Sequence, residues 1–271
     1  MAAGIDRDAA VEIQRRAFRD FVTMLGGAAP ESRVLELDDD VRAAIVPAVP
    51  GRSIANSVTY RDPASLAASL EVLAATYDLL GVRAWTVWAP EDDRDAIDAL
   101  ERAGHVLDGR PAAMVLDLGE LPAAEVGDLD WDAGGGWELL GRLNDEAYGA
   151  VAGGGLAPAL RHPPSDLAVR IHQARVEGEP ACVLATIDHA PAHGAAGPDC
   201  GVYFVATPER FRRRGLATRL LAAALADARD RGCATSSLQA SALGEPVYRA
   251  LGYETAFRFT MYERRRPREA D

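Results

Sequence analysis

The chain has 271 residues, 48% hydrophobic and 26% charged, a composition that supports folded cores and excludes disorder over most of its length. Its formal charge is -12 and it contains no lysine, so every fixed side-chain cation is an arginine. So acidic a surface disfavours nucleic acid and mildly favours cationic partners such as amines.

The length favours two domains. The three cysteines, Cys182, Cys200 and Cys233, are odd in number and lack CxxC spacing, which points away from a disulfide framework or a zinc ribbon. No uncharged apolar run approaches the roughly 18 residues of a membrane span, and the first residues lack a basic segment followed by an apolar one. A cytoplasmic protein with no membrane partner is expected.

In chain order, residues 6–25 carry Val11, Ile13, Phe18, Phe21, Val22 and Leu25 at helical spacing before a Gly-Gly stop. Short strand-like runs follow at "RVLEL", "AAIVPAV" and "SIANSVTY". Next come a helix over 63–81 opened by a proline, the strand "VRAWTVWA", the helix "DDRDAIDALERAG" and the strand "AAMVLDL". Trp85 and Trp88 alternate with Val87, which predicts core packing. The stretch 119–136, rich in glycine, proline and acid, reads as a linker dividing domain 1–122 from domain 123–271.

The second half opens with the helix "WELLGRLNDEAYG" and a Gly/Pro-bearing loop, then a hairpin from "VRIHQARV" and "ACVLATID". A loose loop precedes the strand "CGVYFVAT", and "RFRRRG" leads into the helix "LATRLLAAALADARDRG". The strand "CATSSLQA", the short helix "EPVYRALG" and the strand "TAFRFTMYE" finish the chain. The two halves overlay by pattern, with "DALERAGHV" in the place of "EPVYRALGYE", so a duplicated α/β architecture with mixed sheets is expected.

Four arginines and a glycine ahead of a helix suit a phosphate. A helix N-terminus offers unpaired N–H groups and partial positive charge, Gly215 lets the backbone approach closely, and Arg212, Arg213 and Arg214 add charge. The stretch lacks the GKS or GKT ending of a triphosphate loop and the G-x-G-x-x-G spacing of a dinucleotide fold. A nucleotide-bearing cofactor of another type remains.

The succession "VYFVAT", Arg212-Arg213-Arg214-Gly215-Leu216-Ala217 and "TRLLAAALADA" resembles the GNAT superfamily of acyl-CoA-dependent N-acyltransferases, whose signature is a strand, Arg or Gln-x-x-Gly-x-Gly or Ala, and a helix. The segment "LQASALGEPVYRALGYE" is similar to the family's stretch ending in a tyrosine, a helical turn and Leu-Gly-aromatic, so that residues 125–265 are covered. The resemblance implies acetyl-CoA as co-substrate, its pyrophosphate on the N–H groups of residues 213–218 (through Thr218), and its pantetheine arm beside Val205 and Thr207. It implies Tyr248 as the acid for the departing thiolate, and transfer to a small-molecule or peptide amine. The first half lacks the loop and has Leu100 in the tyrosine's place, so it is expected to be a degenerate domain of a tandem pair, in a monomer or homodimer.

The acceptor's base is less defined: Asp199, Glu245, Asp145 and Tyr203 are candidates, and Glu138, Asn144, Asp145 and Tyr148 could meet a cationic amine. His189 and His193 lie four apart in a loose loop and predict no metal site. A non-catalytic acyl-CoA sensor is the alternative, because "CGVYFVAT" carries no acid.

Overall fold

The computed structural model describes residues 5–122, 126–149, 154–164, 166–191 and 195–266. The fold is α/β with mixed strand pairing, divided between two units that each draw on three segments of the chain. One, the C-terminal unit, comprises Met1–Ala17, Ala112–Gly149 and Asp166–Phe257; the other, the N-terminal unit, comprises Phe18–Pro111, Ala150–Ser165 and Arg258–Asp271. Among the described residues no helix is long and apolar enough to cross a membrane.

In the N-terminal unit β1 (Arg33–Leu37), β2 (Val41–Ile45), β3 (Ser57–Tyr60) and β4 (Ala84–Pro90) follow in spatial order, then β12 (Glu254–Arg265). The strands β3 and β4 run parallel, and α2 (Pro63–Leu79) connects them. Leu66, Leu70, Leu73 and Tyr77 of α2 pack with Trp85, Val87 and the Ile97 and Leu100 of α3 (Arg94–Arg102) in one core. Trp85 stacks on Tyr77 at 4.9 Å and Trp88 lies 4.6 Å from Phe18, so both tryptophans are core residues.

Two short strands escape hydrophobic periodicity. β5 (Val106–Gly109) pairs with β12 although its residues are mostly exposed, and β7 (Asp130–Asp132) lies inside the linker stretch. The segment "SIANSVTY" is a strand only in its second half. Residues Ser53–Asn56 form a 3-10 turn because buried Asn56 bonds back to the preceding chain, accepting from Val46 N–H (2.8 Å) and donating to Arg52 O (3.1 Å).

The C-terminal unit has the spatial order β6 (Ala112–Asp117), β11 (Thr235–Ala240), β10 (Asp199–Ala206), β9 (Glu179–His189), β8 (Val169–Val176), β7. Helices α4 (Trp137–Tyr148), α5 (Leu216–Asp230) and α6 (Glu245–Ala250) complete it. Leu216, Leu220, Ala224 and Ala228 of α5 form the expected buried stripe. Each unit thus contains a strand from the other half of the sequence: β6 pairs antiparallel with β11, and β12 with β4. The start of α1 (Arg7–Gly27) is fixed in this unit by Gln14, fully buried, whose side chain donates to Met114 O (2.9 Å) and Leu238 O (3.2 Å) and accepts from Gln239 (2.7 Å).

Each unit buries a histidine whose proton affinity falls. In the N-terminal unit His105 meets the Trp85 ring edge-on at 4.5 Å, and in the C-terminal unit His172 faces the Thr186 hydroxyl at 3.0 Å. Burial pushes both down to about 4. Free histidine titrates near 6.5, so between pH ~6.5 and ~4 the unfolded chain holds protons that the folded one does not. Their stabilisation is complete above pH ~6.5 and is lost on acidification, by at most about 1.4 kcal/mol per pH unit for each. Urea midpoints measured from about pH 7.5 to about 4.5 will fall, and His105→Phe will flatten the fall; a profile identical to the parent's contradicts this assignment.

Candidate functional site

β10 and β11 are parallel neighbours over three residue pairs only, from Asp199↔Thr235 to Gly201↔Ser237. Buried Asp199 closes the base of this fork, accepting from the Thr235 hydroxyl (2.8 Å) and the Ser237 hydroxyl (2.6 Å). Beyond it, β10 continues along β9 but slips register between Tyr203 and Ala206, with Phe204 in a left-handed conformation at φ 54°. Such a bulge turns backbone groups out of the ladder, and α4 takes them up. Asn144 donates to Phe204 O (3.3 Å), and the Tyr148 hydroxyl donates to Val205 O (2.7 Å).

The arginines of the loop after β10 divide into two kinds. Arg210 bridges Glu146 and Glu179, both at 2.8 Å, and lies 4.6 Å over the Phe211 ring. Arg212 donates to the carbonyls of Thr207 (3.1 Å) and Ala147, tying the strand end to the end of α4. Arg213 and Arg214 are exposed and have no acidic partner among the described residues. Two left-handed residues, Arg213 (φ 62°) and Gly215 (φ 71°), curl the main chain into α5. That conformation costs a non-glycine residue about 1–2 kcal/mol, a strain expected at a functional turn. Among the described residues no acceptor meets the N–H groups of 213–218, so the helix begins with open donors beside two guanidinium groups that no carboxylate neutralises. Buried Leu216 anchors this start in the core, and Ala217 packs against it.

In the first half the equivalent position is closed. The N-terminus of α2 is capped by Asp62, which accepts from Ser65 N–H (2.8 Å) and the Ser65 hydroxyl (3.1 Å). A carboxylate already occupies the place an anion would take.

Tyr248 stands on α6 with its ring 6.1 Å from Tyr253, which is itself pinned to the Ser236 hydroxyl at 2.6 Å. Its hydroxyl makes no hydrogen bond among the described residues. Burial first, then Tyr148 and Cys182, raises its pKa, so it is a protonated phenol at neutral pH. Gly244 makes room for it: a Cβ there would come within 2.9 Å of the Tyr248 ring. Cys182 on β9 accepts from the Thr207 hydroxyl at 3.3 Å, and burial pushes its thiol up to about 11. It is a neutral thiol, unsuited to attack.

The candidate bases lie elsewhere. Asp199 is sealed at the fork's base, where burial raises its pKa. The Tyr203 hydroxyl turns to Ala17 O (2.9 Å) and His189 (3.0 Å), and Glu245 pairs with Arg249 (2.7 Å). On α4, Glu138 is exposed and Asp145 half-buried, whereas Asn144 and Tyr148 hold the bulge. His193 lies outside the described residues. The bulge, the Cys182–Thr207 contact and the need for Gly244 leave almost no mark in the sequence; their one trace is a glycine four residues ahead of Tyr248.

Two glycines test this geometry. At Gly201 a Cβ would lie 2.3 Å from His189 Nε2 and 2.6 Å from the Tyr203 oxygen. Gly201→Ala will therefore cost roughly 1–3 kcal/mol in chemical denaturation. Gly244→Ala displaces only an exposed turn and the Tyr248 ring. It will leave the unfolding midpoint near the parent's while changing the near-ultraviolet tyrosine signal; an unchanged signal contradicts the placement of the ring.

Residues 182–256 match the family described as acetyltransferase (GNAT) domain. Among curated proteins none matches the chain. Among solved structures the chain is similar to a GCN5-related N-acetyltransferase from Kribbella flavida, at 19% identity and TM-score 0.63, covering 97% of this chain and 96% of that one. A putative GNAT-family acetyltransferase from Novosphingobium aromaticivorans is similar at 15% identity and TM-score 0.56, covering 94% and 97%. A tandem GNAT protein from the clavulanic acid biosynthesis pathway is similar at 14% identity and TM-score 0.53, covering 99% and 98%. The chain has the tandem GNAT fold, and its residues 182–256 match the GNAT acetyltransferase domain family.

Proposed function

We propose that the protein is an acetyl-CoA-dependent N-acetyltransferase whose second half, 123–271, is catalytic and whose first half, 1–122, is a scaffold. The observation that carries this reading is the open row of N–H donors at 213–218 beside Arg213 and Arg214, at the end of a strand that has parted from its neighbour. The pyrophosphate of acetyl-CoA binds those donors, as anions do at helix N-termini. The pantetheine arm lies along Val205 and Thr207; their carbonyls already accept from Tyr148 and Arg212, and each keeps a second lone pair.

Bound cofactor supplies the thioester. An unprotonated amine attacks its carbonyl carbon, the carbon–sulfur bond breaks, Tyr248 donates its proton to the departing thiolate, and the proton lost by the acylated nitrogen passes through solvent to restore the phenol. Burial keeps the Tyr248 phenol protonated, so it has a proton to offer the departing sulfur. No acyl-cysteine forms, because the Cys182 thiol is held protonated. Use of acetyl-CoA together with three unpaired cysteines supports a cytoplasmic setting, and the net charge of -12 favours amines of cationic character.

Release of CoA thiol from acetyl-CoA across a panel of small amines and amino-terminal peptides tests this. Turnover with at least one amine is expected, reduced on the order of 10²-fold in Tyr248→Phe and retained in Cys182→Ser. Full activity in Tyr248→Phe removes that phenol from the mechanism. One observation favours a second reading, an acyl-CoA sensor: Asp199 and Tyr203 turn away from the open part of the fork. Acetyl-CoA binding without turnover on any amine of the panel would select it.

A further inference from the structure

The N-terminal unit contains a cavity of about 450 Å³ that is separate from the α2 N-terminus. Arg94 and Ile97 enter it from the first turns of α3, Thr260 and Tyr262 from β12, and Arg110 from the turn before β6. Glu91 and Asp92, following β4, complete its lining. Its volume suits a small metabolite.

Its charges are arranged unevenly. Among the described residues neither the Arg94 nor the Arg110 guanidinium has an ion pair or hydrogen bond, in a chain that carries a net charge of -12. The Tyr262 hydroxyl donates to Glu101 at 2.8 Å, which fixes the ring. Burial and Glu101 raise that phenol's pKa, while Arg110 and Arg94 oppose them. The neighbouring Asp93 is engaged elsewhere, by the Tyr60 hydroxyl (2.7 Å) and by Ala96 N–H (3.2 Å). Glu91 is held through its backbone, its N–H donating to Arg258 O at 2.9 Å.

Two guanidinium groups that line one cavity suit a carboxylate. A dianion such as phosphate would meet repulsion from Glu91, and a bare amine would meet it from the arginines. A molecule carrying both charges meets neither. We propose that this cavity binds a small zwitterion of the α-amino-acid type, its carboxylate between Arg94 and Arg110 and its ammonium toward Glu91. The site is independent of the acyl-CoA reading, since it uses none of the residues of the cradle.

Calorimetric titration of the full chain with each common α-amino acid tests the proposal, with inorganic phosphate and the best ligand's decarboxylated and deaminated forms as comparisons. Saturable binding of at least one amino acid is expected. It will weaken tenfold or more for the decarboxylated and deaminated forms and in Arg94→Gln and Arg110→Gln, and will be unchanged in Gly215→Glu. Glu91→Gln will weaken the amino acid but not its deaminated form. Absence of saturable binding by every amino acid overturns the proposal. So does equal binding of phosphate or the deaminated acid, or binding that survives the double arginine substitution in a chain with parental circular dichroism.

Discussion

The C-terminal unit is organised by the point at which two parallel strands stop pairing. Asp199 joins β10 to β11 through Thr235 and Ser237, and after Gly201 and Ser237 the ladder ends. Backbone groups released by such a break require other partners. The bulge at Phe204 and the side chains of Asn144 and Tyr148 satisfy two carbonyls on that edge, which also fixes the end of α4. The same strand then delivers the chain into a helix whose first N–H groups have no acceptor among the described residues. The open N–H donors and the strand edge are therefore consequences of one break in the sheet.

In the arginine-rich loop, identical side chains divide between those with fixed partners and those facing solvent. Arg210 and Arg212 find fixed partners in Glu146, Glu179 and two main-chain carbonyls, so they hold the loop's shape. Arg213 and Arg214 are left to supply charge. The comparison with α2 makes the point in reverse: a single capping aspartate, Asp62, fills the same kind of helix start and makes it unavailable to an anion.

Much of this is legible in the sequence where period and punctuation agree. The long helices α2 and α5, the strands around Trp85 and Val202, and the Arg-x-x-Gly-x-Ala loop are all marked by apolar spacing bounded by glycine or proline. Strands β5 and β7 are not, because they are short and defined by pairing alone. Nor can any pattern place β6 beside β11, or assign the beginning of α1 to the C-terminal unit through Gln14, since such contacts join residues roughly one hundred or more positions apart. The place of Tyr248 on the short helix α6 follows from the helical segment ahead of Gly252. The roles of Asn144 and Tyr148 do not, because a polar helix face looks the same whether it meets a ligand or a bulged strand.

The claim on which the functional account rests is that the N–H groups of 213–218 hold the pyrophosphate of acetyl-CoA. Gly215 has open space where a side-chain carbon would stand, so Gly215→Glu puts a negative charge at the proposed cradle without a clash, at about 1–2 kcal/mol of backbone strain from its φ of 71°. Titration calorimetry of acetyl-CoA against the parent and this variant is the direct measurement. The account predicts saturable binding by the parent and its loss in the variant. Binding retained by the variant, or absent from the parent, would contradict it.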